Sequence, residues 1–116
     1  ILSGGRLVVE LWVPDLRRFA PGLPALPFDV SPSHLGFDEI DVATQRGVSH
    51  HYYIDGERVR RFDTPYRYAW PAELDLMARI AGLELAERWA AWDRSPFTSE
   101  SRTHVSAWPR RPSAAP

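Results

Sequence analysis

The sequence predicts an α/β fold: a buried strand near the start, a proline-capped helix followed by two further strands, and an antiparallel β-meander inserted between. Three observations carry this prediction. Leu7-Val8-Val9-Glu10-Leu11-Trp12-Val13 is a nearly continuous apolar run, the habit of a central parallel strand covered on both faces. Asp55-Gly56 separates two alternating runs, which is a strong short-range hairpin signal. Pro71 opens a segment in which Leu74, Met77, Ala78 and Ala81 recur at i, i+3, i+4 and i+7, one face of a helix.

Composition bounds the rest. With 116 residues, 44% apolar and 12% aromatic, the chain is at most one globular domain. A formal net charge of -1 supplies no positive field to gather nucleic acid or an anionic membrane, and neither is expected as a partner. No apolar stretch approaches the roughly 20 residues of a membrane helix. The absence of cysteine removes thiol chemistry and fits a reducing cytoplasm, the expected location. All 14 basic residues are Arg, which reads as codon usage in a GC-rich bacterial genome. The one methionine is Met77, so Ile1 is not a translation start and residues 1–116 are expected to be a single partial domain of a longer protein.

In chain order, Ser3-Gly4-Gly5 is turn chemistry releasing into the first strand. Residues 16–34 carry Pro21, Gly22, Pro24, Pro27 and Pro32 and read as an irregular loop with short extended pieces. Residues 35–68 alternate as a three-stranded meander. Its strands are Gly36 to Val42, then Val48 to Ile54, then Glu57 to Tyr68, joined by turns at Ala43 to Gln45 and at Asp55-Gly56. The helix runs from Pro71 to Ala81, with Glu73 at its positive end, Asp75 and Arg79 facing out as an ion pair, and Gly82 ending it. Leu83 to Trp92 and Thr103 to Trp108 read as strands around a polar loop, and 109–116 as a frayed tail.

Several residue groups carry chemistry in other settings. His34, His50, His51 and His104 suggest a metal, but adjacent strand positions point to opposite faces, and ordinary surface histidines are expected. Ser95 and Ser101 lack nucleophile-elbow context. Arg58, Arg60, Arg61 and Arg67, near Tyr66 and Tyr68, form a basic strip that reads as a solvated hairpin face. Glu10 is a carboxylate inside an apolar strand and needs a partner or a cleft. Of the five tryptophans, most read as core; Trp12 lies at the carboxyl end of its strand, the edge where open α/β sheets bind ligands.

Taken in order, these segments resemble the C-terminal half of a class I S-adenosylmethionine-dependent methyltransferase of the small-molecule type. Leu2-Ser3-Gly4-Gly5-Arg6-Leu7-Val8-Val9-Glu10-Leu11 is similar to the fifth strand of that Rossmann-like sheet. Arg67-Tyr68-Ala69-Trp70-Pro71-Ala72-Glu73-Leu74, running to Ala81-Gly82-Leu83, resembles its last helix and the entry to its sixth strand. Asp93-Arg94-Ser95-Pro96-Phe97 and the strand ending at Trp108 resemble the closing loop and the antiparallel seventh strand. The family's glycine-rich cofactor loop and its first four strands have no counterpart here, since Gly4-Gly5 precedes a strand. The resemblance therefore implies that S-adenosylmethionine is bound mainly by another half, with no cofactor residue, metal or catalytic residue placed on this chain.

Two function classes follow. One is the substrate-side half of a methyltransferase acting on a small-molecule acceptor, inactive alone, with Trp12, Arg67 and Tyr68 lining the acceptor side of the cleft and Glu10 partnering Arg67. The other is a noncatalytic binding or dimerisation module using the meander and the sheet edges, with a homodimer contact through the meander.

Overall fold

The computed structural model describes residues 4–112. Along the chain lie β1 (Arg6–Trp12), β2 (Ala25–Val30), β3 (His34–Asp41), β4 (Arg46–Asp55), β5 (Arg58–Arg67), α1 (Pro71–Ile80), β6 (Glu87–Trp89) and β7 (Thr103–Pro109). They form two compact units, Ile1–Pro14 with Ala69–Pro116, and Asp15–Tyr68. The apolar and aromatic content is divided between two sheets, one in each unit.

In the first unit the three expected strands form one sheet in the order β1-β7-β6. β7 is antiparallel to both neighbours, so β1 and β6 point the same way. No strand pair in this sheet is parallel, so the parallel pairing that the β1 sequence predicts is not seen among the described residues. Among these, β1 lies at the sheet edge, paired with β7 alone, and Leu7, Leu11 and Trp12 are exposed. The central place goes to β7, whose residues from His104 to Trp108 are all buried. Leu83 makes only an isolated bridge to Arg110, so the strand expected from Leu83 to Trp92 contracts to β6. Pro109 ends β7, Arg110 donates its backbone N–H to Gly5, and Arg111 does so to Gly82. The expected fraying thus does not begin at 109; residues 113–116 lie outside the described residues.

α1 forms as its sequence directs. Pro71 takes the first helical position, Glu73 accepts from the Trp70 backbone N–H at 3.3 Å, and Gly82 closes the helix with φ 82°, a conformation glycine adopts without strain. Ala78, Leu83 and Trp108 form the buried core, with Val9 and Leu74 packed against it. Met77 and Ala81 of the predicted face stay exposed.

The second unit is a four-stranded antiparallel sheet, β2-β3-β4-β5, separate from the first unit's sheet and one strand larger than the predicted meander. The added strand, β2, arises inside the proline-rich 16–34 stretch, which otherwise contributes a short 3-10 turn at Leu16–Arg18. Pro27 is tolerated because β2 is an edge strand whose register shifts between Pro27 and Asp29, the places where a missing N–H is harmless. The β4–β5 hairpin closes on Asp55 paired with Arg58. Its turn residues are therefore Gly56-Glu57, and Gly56 alone of the two takes a positive φ, 60°, as a two-residue loop with glycine first requires.

Candidate functional site

On the α1 side of the first unit, the alternation of β7 places His104, Ser106 and Trp108 on one face. They join a continuous polar network. Asp75 does not face outward toward Arg79; it accepts from Arg88 Nη2 at 2.6 Å and Nη1 at 3.0 Å, and from Trp108 Nε1 at 2.9 Å. Arg88 Nε donates to Ser106 Oγ at 2.8 Å, and Ser106 Oγ lies 2.8 Å from His104 Nδ1. Burial alone raises the Asp75 carboxyl, but the hydrogen bonds from Arg88 and Trp108 outweigh it and hold its pKa low. Burial pushes the His104 imidazole down, helped by the Arg88 charge, so this ring is neutral at pH 7. With Ser106 O–H donating to Nδ1, the proton sits on Nε2, which has no hydrogen-bond partner in the structure. The network fixes α1 and β6 against β7, a task of positioning.

The other face of the same sheet carries Glu10 and Trp12. Trp12 is the last residue of β1 and 83% exposed. Glu10 is exposed as well, so its carboxylate pays little desolvation; it accepts from Trp92 Nε1 at 2.6 Å. Beside it lies a groove of about 130 Å³ lined by Val8, Trp89, Trp92, Arg94 and Val105 among others, with the Arg94 guanidinium over the Trp89 ring. Of the tryptophans, Trp108 alone is fully buried; Trp92 packs over the sheet edge as a donor and Trp12 stands free as a flat apolar surface.

Arg67 and Tyr68 lie in the second unit. Arg67 ends β5 in register with Arg46. Tyr68 is pinned by its backbone: its N–H donates to Gln45 O and its carbonyl accepts from Gln45 Nε2, both at 2.9 Å. The four expected site residues thus fall two to a unit, Glu10 with Trp12 and Arg67 with Tyr68.

The second unit's histidines are not plain surface residues, because their ring nitrogens are engaged in hydrogen bonds. His34 Nδ1 meets Asp29 Oδ2 at 2.5 Å and its Nε2 meets His51 Nδ1 at 2.9 Å. On the opposite face His50 lies between Asp63 and Glu39, at 2.7 and 3.0 Å. Each central ring spends both nitrogens in opposite directions, which cannot converge on one ion. Among the described residues no group of three or more His, Asp or Glu is arranged to hold a metal. Hydrogen bonds that His50 makes to the carboxylates of Asp63, foremost, and Glu39 raise its pKa against the opposing effect of burial, and both nitrogens donate only in the imidazolium form.

Sequence reasoning missed the Asp75–Arg88–Ser106–His104 network because Asp75 and Arg79 offered a ready i, i+4 pair. The signal was present in β7, where His104, Ser106 and Trp108 repeat at period two, three polar-tipped side chains on one face of a strand.

Among the described residues, the starts of β1 and α1 do not form a cradle for a nucleotide cofactor. Gly4 and Gly5 precede a strand, and α1 opens on Trp70-Pro71 with no glycine-rich turn, so the backbone N–H groups that would hold a cofactor's polar groups are not supplied here.

With this geometry in place, the chain is structurally homologous to part of solved methyltransferases. It is similar to the CcbJ methyltransferase from Streptomyces caelestis, with 36% sequence identity over 95% of this chain and 48% of that one, at a TM-score of 0.77. It shares the fold of an S-adenosylmethionine-dependent methyltransferase from Clostridium acetobutylicum, at 11% identity over 96% of this chain and 46% of that one, with a TM-score of 0.64. The chain spans about half the length of the solved structures it matches. No protein-family model and no curated protein matches it. No helix among the described residues is long and apolar enough to cross a membrane.

Proposed function

We propose that this chain is the C-terminal, substrate-side half of an S-adenosylmethionine-dependent methyltransferase that transfers a methyl group to a small-molecule acceptor. The observation that carries the reading is the 36% identity to CcbJ across 95% of the chain, over only 48% of that methyltransferase. The β1-β7-β6 sheet, with β7 antiparallel to both neighbours, supports the C-terminal assignment, in which the last strand closes the sheet antiparallel. The near-zero net charge of -1 favours a small acceptor over nucleic acid.

When bound, the cofactor supplies the methyl group; this half supplies alignment. Methyl transfer depends on holding nucleophile, methyl carbon and leaving sulfur in line, so rigid positioning groups matter more than a large acid–base set. In this reading Trp12 and Tyr68 give flat walls for the acceptor, Arg67 holds a polar group of it, and Glu10 partners Arg67.

The test is a calorimetric titration of S-adenosylmethionine into the 116-residue chain and into the protein extended by its upstream coding sequence. The extended protein is expected to bind in the micromolar range and the chain alone to show no binding. Micromolar binding by the chain alone, or none by the extended protein, overturns the reading; an unrelated domain upstream favours the noncatalytic module.

A further inference from the structure

We propose that the second unit carries a binding site of its own for a planar ring bearing a carboxylate, on the sheet face that holds His34 and Tyr53. The inference is independent of the methyltransferase reading. It begins from the alternation of β5. Arg61 points to the face of His50 and pairs with Asp63, its Nη2 3.0 Å from Oδ2. Arg58 and Arg60 point to the other face, in register with Asp55 and Tyr53 respectively. Among the described residues neither has a carboxylate within ion-pair distance. The strip of four arginines is thus divided by the pleat into one neutralised member, one at the end of the strand, and two whose backbone positions lie about 7 Å apart along β5 on one face.

These two border a cavity of about 530 Å³ that Ser33, His34, Tyr53 and Asp55 also line. Its floor is aromatic and ordered. The Tyr53 and His34 rings stack at 4.5 Å and 15°, and Phe62 meets Tyr53 edge-on at 5.8 Å. His34 is locked by bonds at both nitrogens, to Asp29 and His51. His34 is stacked on both sides, by Tyr53 and by His51 at 5.2 Å and 9°. The ring face left for a second flat ring is therefore the side of Tyr53 turned from His34, toward Arg60, its partner in register, where stacking on a rigid ring costs little entropy. The guanidinium of Arg60, already over Phe62 at 5.5 Å, stands opposite Tyr53, so a ring lying on Tyr53 brings its substituent under Arg60 and Arg58. The planar fork of arginine matches a carboxylate with two parallel N–H bonds. Asp55 is the one carboxylate of the lining, and it selects against multiply charged anions such as phosphate, which the two arginines alone would favour.

The probes are sodium benzoate, neutral benzamide and inorganic phosphate, titrated into the isotope-labelled chain while the ring signals of Tyr53 and His34 are followed by NMR. Benzoate is expected to give saturable shifts at Tyr53 and His34, with an affinity at least tenfold above that of benzamide and of phosphate. Arg58→Gln with Arg60→Gln should lower benzoate affinity at least tenfold while signals of the first unit stay in place; Arg60→Gln alone should retain the fold and lose part of the affinity. Arg61→Gln, on the opposite face, should leave benzoate binding unchanged. Equal binding of benzoate and benzamide, phosphate as tight as benzoate, or undiminished binding in the double variant would each overturn the proposal.

Discussion

Arg88 grips Asp75 with two N–H bonds, Nη2 to Oδ1 at 2.6 Å and Nη1 to Oδ2 at 3.0 Å, joining β6 to α1. The pair is mostly covered, with side-chain exposures of 13% and 28%, so removing one partner strands the other charge in a poorly solvated place. Asp75→Asn is expected to cost about 2–3 kcal/mol, and Arg88→Ala at least as much, because Ser106 Oγ then loses its donor and the indole of Trp108 loses the cation near its face. Urea unfolding monitored by Trp fluorescence measures both. A loss below about 0.5 kcal/mol, the usual value of an exposed pair, would show that the network does not hold the unit together.

His50 makes the second unit sensitive to pH in a defined window. Its folded pKa lies above the ordinary 6.5, so its contribution is complete below 6.5 and is lost as pH rises through the folded value. Hydrogen bonds from His50 and Arg61 hold the Asp63 pKa below the ordinary 3.8, so that contribution is complete above 3.8 and fades as pH falls through the folded value. The difference in unfolding free energy between wild type and His50→Gln should therefore be largest between these two limits and shrink on both sides. A difference that is flat from pH 3 to pH 9 would rule out the imidazolium clamp.

Gly47 is opposite Tyr66 across β4 and β5, and a Cβ on it would stand 2.4 Å from the Tyr66 Cζ. The ring lies over the bare backbone, and burial raises its phenol pKa above the ordinary 10.0. Gly47→Ala should lift the ring off, costing about 1 kcal/mol and returning the phenol toward 10.0. NMR titration of the Tyr66 ring carbon reads the shift. An unchanged pKa would mean that the ring finds other cover.

Much of this architecture is legible in single segments. The helix from Pro71, the Asp55-Gly56 hairpin and the strand ending at Trp108 each have local causes: a fixed proline φ, a glycine turn, a period of two. What the sequence hides is tertiary. The apolar run from Leu7 to Val13 looks doubly buried, yet β1 has one neighbour among the described residues, while β7 looks half polar and is the covered strand. Its polar residues are tolerated because Arg88 and Asp75, contributed from other elements, satisfy Ser106 and Trp108. β2 was hidden by Pro27, whose cost disappears only once the strand is known to lie at an edge. For the candidate site, the position of Trp12 at a strand end is legible in the sequence, whereas the Trp92 bond to Glu10 joins residues 82 apart and has no local signal.

The proposed acceptor-side role of Trp12, Arg67, Tyr68 and Glu10 is tested in the extended protein by separating binding from stability. Arg67 offers a planar fork for a carboxylate or phosphate, and Tyr68, its backbone fixed by Gln45, offers a ring with one polar tip. If they hold the acceptor, Arg67→Ala should raise the acceptor KM roughly tenfold or more, the equivalent of about 1.4 kcal/mol, with S-adenosylmethionine affinity unchanged. Tyr68→Phe should have a smaller effect in the same direction, because only the hydroxyl is lost. Glu10→Gln should match Arg67→Ala in direction but be milder, since it keeps an acceptor for the Trp92 N–H while removing the charge that would orient Arg67. Melting temperatures of all three variants separate the alternatives: a residue used only for structure lowers Tm while the surviving folded fraction keeps its acceptor kinetics, and that outcome for Arg67 and Tyr68 together would remove them from the site.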